Sequence, residues 1–280
     1  MTDEDVTASG QGTAAGAPSP LSRRGLLRGG VGLGLGAAAF AGGAAAAGVS
    51  YADTGATRHR AFAAKEEPRM PSSTRLLWRA QTDEPVLALT FDDGPDPTYT
   101  VPLLDTLAEH DVRATFFLVG KRAVRHRDLL RRELAGRHEL GNHTWGHTDL
   151  AMLSRAETRV ELERTGQVIA DISGRAPAVL RPPWGRISGT AMHIAAEQDM
   201  DVMVWDVRLL EADLDAAGNV DHVLNALRPG MVLLAHDAGP GRHSVGVAAM
   251  PDIIRGAKAR GFRFVTASEM LALDRTVADR

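Results

Sequence analysis

The stretch Leu87-Ala88-Leu89-Thr90-Phe91-Asp92-Asp93-Gly94-Pro95 decides how the folded part of the chain is organised. From Val86 to Phe91, apolar residues alternate with small or β-branched ones, which predicts a buried strand. Gly94-Pro95 cannot continue a strand, so the chain leaves the sheet there. Two adjacent carboxylates at the mouth of a buried strand are costly unless something uses their charge. A bound metal ion or a transferred proton would use it, so we expect Asp92 and Asp93 to divide these two roles.

The composition of the 280-residue chain excludes several classes of function. A hydrophobic content of 44% is enough for a sizeable core. The net charge is −3 and forms no basic stripe, so we expect no nucleic-acid partner. The chain has no cysteine, which excludes thiolate catalysis, disulfides and cysteine-bound zinc. Any metal must therefore be bound by histidine, aspartate or glutamate, and the ten histidines allow such a site.

The N-terminal 50 residues have the layout of an export signal. Residues 1–20 are rich in Gly, Ala, Ser and Pro, which predicts disorder. The pair Arg23-Arg24 then precedes an uncharged run from Val31 to Val49 and resembles a twin-arginine signal, which implies the twin-arginine translocation machinery as a partner during export. The alternative is a retained membrane anchor, because this run is long enough to span a bilayer. Its Gly/Ala-rich composition favours cleavage and an extracellular or cell-wall location.

The remainder divides into a linker and one folded domain. Residues 51–82 lack a clear hydrophobic period, so we interpret them as a linker in which Leu76-Leu77-Trp78 docks on the domain. Residues 83–280 form the predicted catalytic domain, where strands and helices alternate about seven times over about 195 residues. This alternation predicts an α/β fold with a parallel sheet and crossover helices. A closed or nearly closed barrel is the first expectation, and an open doubly wound sheet is the alternative.

Three helix predictions are specific enough to be checked. Lys121 to Ala135 is predicted as one charged helix with Val124 among its inward-facing residues. Ser154-Arg155-Ala156-Glu157 and Thr266-Ala267-Ser268-Glu269 are capping-box patterns, and each predicts a helix that begins directly after its first residue.

Polar residues follow five of the predicted strands. In parallel barrels and doubly wound sheets, the carboxyl ends of the strands share one face, and active sites lie there. We therefore expect the following residues to lie on one face: Asp92-Asp93, His143, Arg181, Asp206 and His236.

His143-Thr144-Trp145-Gly146-His147 places two imidazoles four residues apart. Two histidines and one carboxylate suit zinc, and also iron, cobalt or nickel, and three protein ligands leave open positions for water and substrate. The alternative is an ordinary pair of surface or core histidines. The diacid at another strand end favours the metal interpretation, because the two motifs together supply a full ligand set.

Two further motifs offer an orienting group and a proton donor. Arg181-Pro182-Pro183-Trp184-Gly185 forms a stiff loop in which the guanidinium can hold a carboxylate such as Asp92. The alternative is a surface turn closed by a tryptophan. His236 follows the apolar segment Leu234-Ala235 and suits a general acid. The alternative is a core histidine bonded to the backbone.

Four ordered motifs resemble those of the polysaccharide deacetylases, the NodB-homology carbohydrate esterases of family 4. The resemblance covers about Val86 to Leu273 and implies a distorted (β/α)7 barrel. The motifs that carry it are Thr90-Phe91-Asp92-Asp93-Gly94-Pro95, His143-Thr144-Trp145-Gly146-His147, Arg181-Pro182-Pro183-Trp184-Gly185 and Leu234-Ala235-His236-Asp237.

The resemblance also implies a role for each motif residue. Asp92 is implied as the general base and His236 as the general acid, with Arg181 holding the base and the Trp184 N–H binding the oxyanion. Zinc is the first expectation for the metal, with Co²⁺, Ni²⁺ or Fe²⁺ as alternatives. The implied metal ligands are Asp93, His143 and His147, and the implied substrate-binding residues are Leu234, Trp184, Trp145 and Pro183.

The implied activity is removal of N-acetyl or O-acetyl groups from a cell-wall or extracellular glycan, such as peptidoglycan, chitin or xylan, by a secreted monomer. The first alternative is hydrolysis of another non-peptide amide. The second is a non-catalytic glycan-binding relative, and the third is a membrane-anchored structural protein. The intact set of motif residues favours the enzyme.

The fourth motif of the family departs from its pattern here. Where the family shows an Asp-Trp pair after a strand-end tryptophan, this chain has Glu211 after Trp205, and no tryptophan follows Glu211. We expect Glu211 or Asp213 to support His236 in place of the aspartate.

Overall fold

A computed structural model describes residues 73–275 of the chain. The predicted export signal, most of the predicted linker and the last five residues lie outside the described residues. Within 73–275, no helix is long and apolar enough to cross a bilayer.

The described residues form one sheet in which every neighbouring pair of strands is parallel. The strand order is β1-β6-β5-β4-β3-β2-β8-β7, and β9 adds to β2. The sheet is curled into an incompletely closed barrel, since β1 and β7 at the two ends of this order do not pair within the described range. The strands are β1 (Leu76–Leu77), β2 (Val86–Asp92), β3 (Thr115–Leu118), β4 (Glu139–Asn142), β5 (Val179–Leu180), β6 (Asp201–Met203), β7 (Val207–Arg208), β8 (Met231–His236) and β9 (Arg263–Val265).

Helices connect most successive strands, as parallel pairing requires. The alternation predicted from the sequence is therefore confirmed. The helices of the described residues are α1 (Thr100–Glu109), α2 (Gly120–Arg125), α3 (Arg127–Ala135), α4 (Arg155–Ser173), α5 (Gly189–Glu197), α6 (Ala216–Ala226), α7 (His243–Ala259) and α8 (Ala267–Ala272).

Strand β2 is the centre of the sheet. It pairs with β3, β8 and β9, and all seven of its residues are buried. Leu87, Leu89 and Phe91 pack into one hydrophobic cluster with residues of α1 and α7, whereas Val86 and Ala88 pack into another with Phe117 and Val232. This alternation follows from the two-residue period of a strand. A strand buried on both faces explains the nearly continuous apolar run in the sequence.

The helix predicted over Lys121 to Ala135 is wrong as a single element. The chain forms α2 and α3, separated by His126 at φ −127° and ψ 47°. The break lets Ala123 face the core, while Val124, predicted to face inward, is 42% exposed. The charged sequence carries no breaker at this position, so its pattern did not indicate the interruption.

Two short strands were not predicted. In β1, Leu76 pairs with Val202 and Leu77 with Met203, so the docking expected of this part of residues 51–82 takes the form of an edge strand. In β7, Val207 pairs with Leu233. Two residues are too few to show a periodic pattern, and their pairing depends on the neighbouring strand.

Both capping boxes are confirmed. The Ser154 hydroxyl accepts a hydrogen bond from the Glu157 N–H, and the Glu157 carboxylate accepts from the Ser154 N–H at the start of α4. The same reciprocal pair joins Thr266 and Glu269 at the start of α8. These local signals fixed both helix starts because each pair satisfies two otherwise unpaired backbone donors.

Glu133 is a fully buried carboxyl group on α3, and within the described residues neither of its oxygens has a hydrogen-bond partner. Burial raises its pKa well above the usual value, and the nearby Asp237 raises it further. The native state therefore holds Glu133 protonated at a pH where the unfolded chain has already lost the proton. Above the unfolded pKa, the native state thus loses stability as the pH rises, by about 1.4 kcal/mol per pH unit until the native pKa is reached.

We expect the Glu133→Gln variant to lack this loss. Its stability relative to the wild type should increase between pH 5 and pH 8, because glutamine has the same shape but does not ionise. Urea unfolding of both proteins at the two pH values measures the difference. If the free energies of unfolding of the wild type and the variant differ by the same amount at both pH values, Glu133 is not held protonated in the native state.

Candidate active site

The carboxyl ends of four strands bring the sequence-predicted residues together. Asp92 of β2 and His236 of β8 are paired residues of adjacent strands. Asn142 of β4 pairs with Leu180 of β5, so His143 and Arg181 each lie one residue beyond the end of a strand. These ends open into a cavity of about 740 Å³. The expectation that Asp92, His143, Arg181 and His236 lie at one end of the sheet is therefore confirmed.

Asp93, His143 and His147 form a compact donor set. Asp93 Oδ1 lies 3.1 Å from His147 Nε2 and 3.6 Å from His143 Nε2. Ligands about 2.1 Å from a tetrahedral zinc ion are separated from one another by about 3.4 Å. Both distances from Asp93 are therefore close to those between ligands of one metal ion, and all three donor atoms lie within 4.8 Å of one another. They form one of two such groups in the described residues.

The protonation of this set also suits a metal. His143 Nδ1 lies 2.7 Å from the Arg181 carbonyl oxygen. A proton on Nδ1 donates to that carbonyl and leaves Nε2 as the ring nitrogen available to a metal, which is the usual way that proteins orient a metal-binding histidine. Burial alone would raise the pKa of Asp93, but its contacts with His143 and His147 hold the pKa far below its usual range. The residues present thus fit a divalent cation.

The backbone around the donors adopts conformations that residues other than glycine rarely take. The left-handed region holds Asp93 (φ 76°), Thr144 (φ 67°), His147 (φ 58°) and Trp184 (φ 55°). Such backbone strain is concentrated at functional sites, where the surrounding structure enforces it. At Asp93 the backbone leaves the extended conformation of β2, and both carboxylates approach His143: Asp93 Oδ1 lies 3.6 Å and Asp92 Oδ2 lies 3.7 Å from His143 Nε2.

Asp92 is buried and held by Arg181. Asp92 Oδ1 accepts a hydrogen bond of 2.8 Å from Arg181 Nη1, and Oδ2 lies 3.7 Å from His143 Nε2. The carboxylate is thus adjacent to the metal donors while being bonded to a different group. This arrangement separates the two roles that the sequence predicts for the diacid.

Arg181 is completely buried, and its guanidinium donates hydrogen bonds to four acceptors. Besides Asp92, it donates to the Thr90 hydroxyl at 2.7 Å and to the carbonyl oxygens of Met203 at 3.0 Å and Val204 at 2.8 Å. Burial lowers its pKa, and Asp92 opposes this effect. A guanidinium stays protonated in proteins, so Arg181 holds Asp92 in position with a positive charge beside Oδ1.

Two predicted substrate-binding residues line the cavity. Trp184 is 58% exposed, and its ring meets the His147 ring edge-on at 4.5 Å. Among residues 73–275, the Trp184 N–H donates to no acceptor, so it is free for a ligand. Leu234 lines the cavity wall and is buried.

Glu211, and not Asp213, contacts His236. The Glu211 Oε2 atom lies 3.6 Å from His236 Nδ1, whereas Asp213 is exposed at the cavity rim and has no contact with His236 among the described residues. Burial alone would lower the pKa of His236, but Glu211, Asp92 and Asp93 outweigh it and raise the pKa above its usual value. His236 is therefore favoured in the protonated form that a general acid needs.

His243 is a site residue that sequence reasoning missed. Its Nδ1 lies 2.9 Å from Glu211 Oε2, and its ring centre lies 5.2 Å from that of His236. Burial raises the pKa of Glu211, but the imidazoles of His236 and His243 outweigh burial and lower the pKa to about 2. His243 is the first residue of α7 and does not follow a strand end directly, so no strand-end pattern marked it.

Three other predicted positions lie away from the cavity. Trp145 packs beneath the Arg164 guanidinium, at 3.8 Å, and against the hydrophobic core. Pro183 is buried in the turn before Trp184. Asp206 pairs with Arg228 at 2.9 Å and accepts from the Val232 N–H near the amino end of β8, because β6 ends at Met203 and the chain has already turned away.

A ring of positive side chains surrounds the cavity. Within the described part of the chain, none of these cations forms an ion pair with an acidic side chain, and Asp213 is the exposed acid on the same rim. We call this set the basic rim; it consists of Lys121, Arg122, Arg125, Arg208 and Arg242.

Comparisons with known proteins agree with this geometry. A model of the polysaccharide deacetylase family matches residues 79–203. A peptidoglycan-N-acetylglucosamine deacetylase of Bacillus cereus is 38% identical over 186 residues, which cover 66% of this chain and 67% of the relative. A chitooligosaccharide deacetylase of Sinorhizobium fredii is 36% identical over 170 residues, covering 59% of this chain and 78% of the relative.

The fold comparison extends further along the chain. A crystal structure of a peptidoglycan N-acetylglucosamine deacetylase superposes with a TM-score of 0.68 at 34% identity, covering 70% of this chain and 92% of that one. The NodB-type barrel expected from the motifs is thereby confirmed. The chain belongs to the polysaccharide deacetylase family, whose enzymes hydrolyse carbon–nitrogen bonds other than peptide bonds.

Proposed function

We propose that the protein is a divalent-metal-dependent N-deacetylase of peptidoglycan strands. The observation that carries this proposal is the juxtaposition of the Asp92 carboxylate, 3.7 Å from His143, with the donor set Asp93, His143 and His147. A base adjacent to a metal site but bonded to a buried arginine is the arrangement that hydrolysis by activated water requires.

The donor set would hold the cation, with zinc as the first candidate and Co²⁺, Ni²⁺ or Fe²⁺ as alternatives. Such a cation supplies Lewis acidity towards the acetyl carbonyl and makes water more acidic. The His143 Nδ1 contact with the Arg181 carbonyl keeps the imidazole in the required orientation and links the metal ligands to the loop that also bears Trp184.

The remaining steps belong to side chains on the cavity wall. Asp92, held by Arg181, takes the proton from the attacking water. The free Trp184 N–H donates to the carbonyl oxygen as it becomes negative. His236, paired with Asp92 on the adjacent strand, gives its proton to the departing sugar nitrogen, and Leu234 contacts the acetyl methyl group.

The basic rim supports an anionic glycan as the substrate. The stem peptides of peptidoglycan carry carboxylates, whereas chitin chains and the xylan backbone carry no charge. Unpaired cations around a cavity raise the local concentration of an anionic ligand. The name of the Bacillus cereus relative supports the same polymer.

A substrate panel tests this proposal. Acetate release from peptidoglycan should exceed that from acetylated chitooligosaccharides and xylan, and its KM should rise with salt, because screening weakens exposed charge pairs. The double variant Arg122→Gln/Arg242→Gln should raise the KM for peptidoglycan by about 2- to 30-fold, since each exposed pair contributes about 0.2 to 1 kcal/mol.

The matched control is Arg131→Gln, because Arg131 is exposed on α3 and does not line the cavity. This control should leave the KM for peptidoglycan unchanged. Equal rates on charged and neutral glycans, with no salt dependence, would contradict the proposed substrate.

Chitooligosaccharides are the second candidate substrate, favoured by the relative of that name in Sinorhizobium fredii. In that case the neutral oligosaccharide should be the better substrate at every salt concentration. O-acetyl removal is distinguished by the same panel, because xylan carries its acetyl groups only on oxygen.

We also propose that the enzyme acts outside the cytoplasm after twin-arginine export. The support is the Arg23-Arg24 pair followed by the uncharged run from Val31 to Val49. N-terminal sequencing of the protein from culture supernatant should find the run removed. An intact N-terminus in the membrane fraction would favour the retained anchor.

A further inference from the structure

A second group of potential metal donors faces the same cavity. Glu211 comes from the loop after β7, His236 from the end of β8 and His243 from the start of α7. Their donor atoms lie within 4.8 Å of one another. The group contains two imidazoles and one carboxylate, which is the composition of the donor set Asp93, His143 and His147.

The spacing within the two groups is also alike. Glu211 Oε2 lies 2.9 Å from His243 Nδ1 and 3.6 Å from His236 Nδ1. The corresponding distances from Asp93 are 3.1 and 3.6 Å. Both sets of distances lie near the separation of about 3.4 Å expected between ligands of a tetrahedral zinc ion. The geometric argument for a metal therefore applies to both groups.

Unsatisfied polar atoms are concentrated in this second group. Glu211 Oε1, His236 Nδ1 and His243 Nε2 are each buried and have no hydrogen-bond partner among the described residues. Buried polar atoms without a partner are rare in native proteins, and an ion or an ordered water commonly explains them. His236 Nδ1 lies beside the Glu211 carboxylate, so one bound ion would satisfy the free atoms of both side chains. His243 approaches the carboxylate through Nδ1, and its Nε2 lies on the far side of the ring, so this ion would not satisfy Nε2.

The surrounding backbone leaves room for this cluster. A Cβ atom on Gly246 would lie 2.2 Å from Glu211 Oε1, and one on Gly241 would lie 2.6 Å from His243 Cε1. Any larger residue at either position would displace a donor. The lack of a side chain at Gly246 therefore leaves space for the Glu211 carboxylate, and its lack at Gly241 leaves space for the His243 imidazole.

We propose that Glu211, His236 and His243 form a second binding site for a divalent transition metal such as Zn²⁺. Binding of the metal rests only on the donor geometry of this cluster. Its consequence rests on the proposed function: a metal on His236 Nδ1 occupies the lone pair that must carry a proton in the imidazolium form. The ring can then no longer act as the general acid, so metal beyond the first equivalent inhibits the enzyme.

Metal binding is tested separately from activity. Metal-depleted protein is titrated with Zn²⁺ by calorimetry and equilibrium dialysis. We expect two equivalents for the wild type, one for His243→Asn and one for His147→Asn, because each variant removes one ligand from a different group. His222→Asn is the control, because this half-buried histidine lies 3.1 Å from the Arg208 carbonyl oxygen and belongs to neither group. It should bind two equivalents.

A wild-type stoichiometry of one, or two equivalents retained in His243→Asn, overturns the second site. The first result would mean that the cluster is a hydrogen-bonded triad without a metal. Neither result bears on the donor set Asp93, His143 and His147, which His147→Asn tests by itself, so the proposed function and this inference fail independently.

The inhibitory consequence has its own measurement. Acetate release is followed against free Zn²⁺, with each protein scaled to its own maximum. The wild type should decline above one equivalent, and His243→Asn should need at least about tenfold more Zn²⁺ for the same decline, since disturbing a metal site typically weakens binding by about 10- to 100-fold. Superimposable curves for the two proteins overturn the inhibitory role.

Discussion

Replacing Asp92 with asparagine should lower kcat by about 10²- to 10⁴-fold, the usual contribution of a general base, while the protein still binds its metal. Asparagine has the same shape, and its amide oxygen can still accept from Arg181 Nη1, which lies 2.8 Å from Asp92. It cannot take a proton from water. Acetate release and the metal content of the same preparation measure the two effects together.

The matched control for this variant is Asp93→Asn. The same substitution one residue later changes a metal donor, so the metal content should fall along with the activity. Unchanged turnover in Asp92→Asn would refute the role of base. Loss of metal from Asp92→Asn would instead place Asp92 among the ligands.

Replacing Arg181 with methionine should destabilise the protein by about 3 to 5 kcal/mol, because it leaves the Asp92 carboxylate buried without its partner. The substitution also removes donors from Thr90 and from the carbonyl oxygens of Met203 and Val204. Methionine keeps a comparable apolar length, so the cost comes mainly from the unpaired polar groups. Urea unfolding of the wild type and the variant measures it.

Arg186→Met is the control, because Arg186 is largely exposed and pairs with Asp149 at 3.0 Å. Surface pairs contribute about 0 to 1 kcal/mol, so this variant should remain close to the wild type. The double variant Asp92→Asn/Arg181→Met should be more stable than the sum of the single effects predicts, since no buried charge is left unpaired. If the losses of stability of the two single variants simply add in the double variant, the unpaired buried charge is not the source of the lost stability.

The fold could be predicted where local signals and burial agree. Strand β2 was predictable because a strand buried on both faces leaves a continuous apolar run that ends at Asp92. The starts of α4 and α8 were predictable from Ser154 and Thr266, because a capping box requires only residues three positions apart.

The fold could not be predicted where tertiary packing decides. The break at His126 has no glycine or proline to mark it, and strand β7 exists only through pairing with β8. Asp206 follows an apolar segment in the sequence, but β6 ends three residues earlier. Its carboxylate therefore lies at the opposite end of the sheet, beside Arg228.

The same division holds for the site. The residues that follow strand ends, such as His143 and Arg181, were predictable because the topology of a parallel sheet places them on one face. Trp145 was not, because the direction of its ring depends on packing against Arg164. The contact between Glu211 and His243 joins positions 32 residues apart and has no local signature.

We expect the deacetylase activity of this barrel to depend on a metal held by the donor set Asp93, His143 and His147. The most direct measurement is acetate release from peptidoglycan by one preparation of the wild-type protein, first depleted of metal with a chelator and then given one equivalent of Zn²⁺. We predict no release from the depleted protein and recovery on addition of the metal. Full activity in the depleted protein, or no acetate release from any acetylated glycan once one equivalent of Zn²⁺ is bound, would contradict a metal-dependent deacetylase activity.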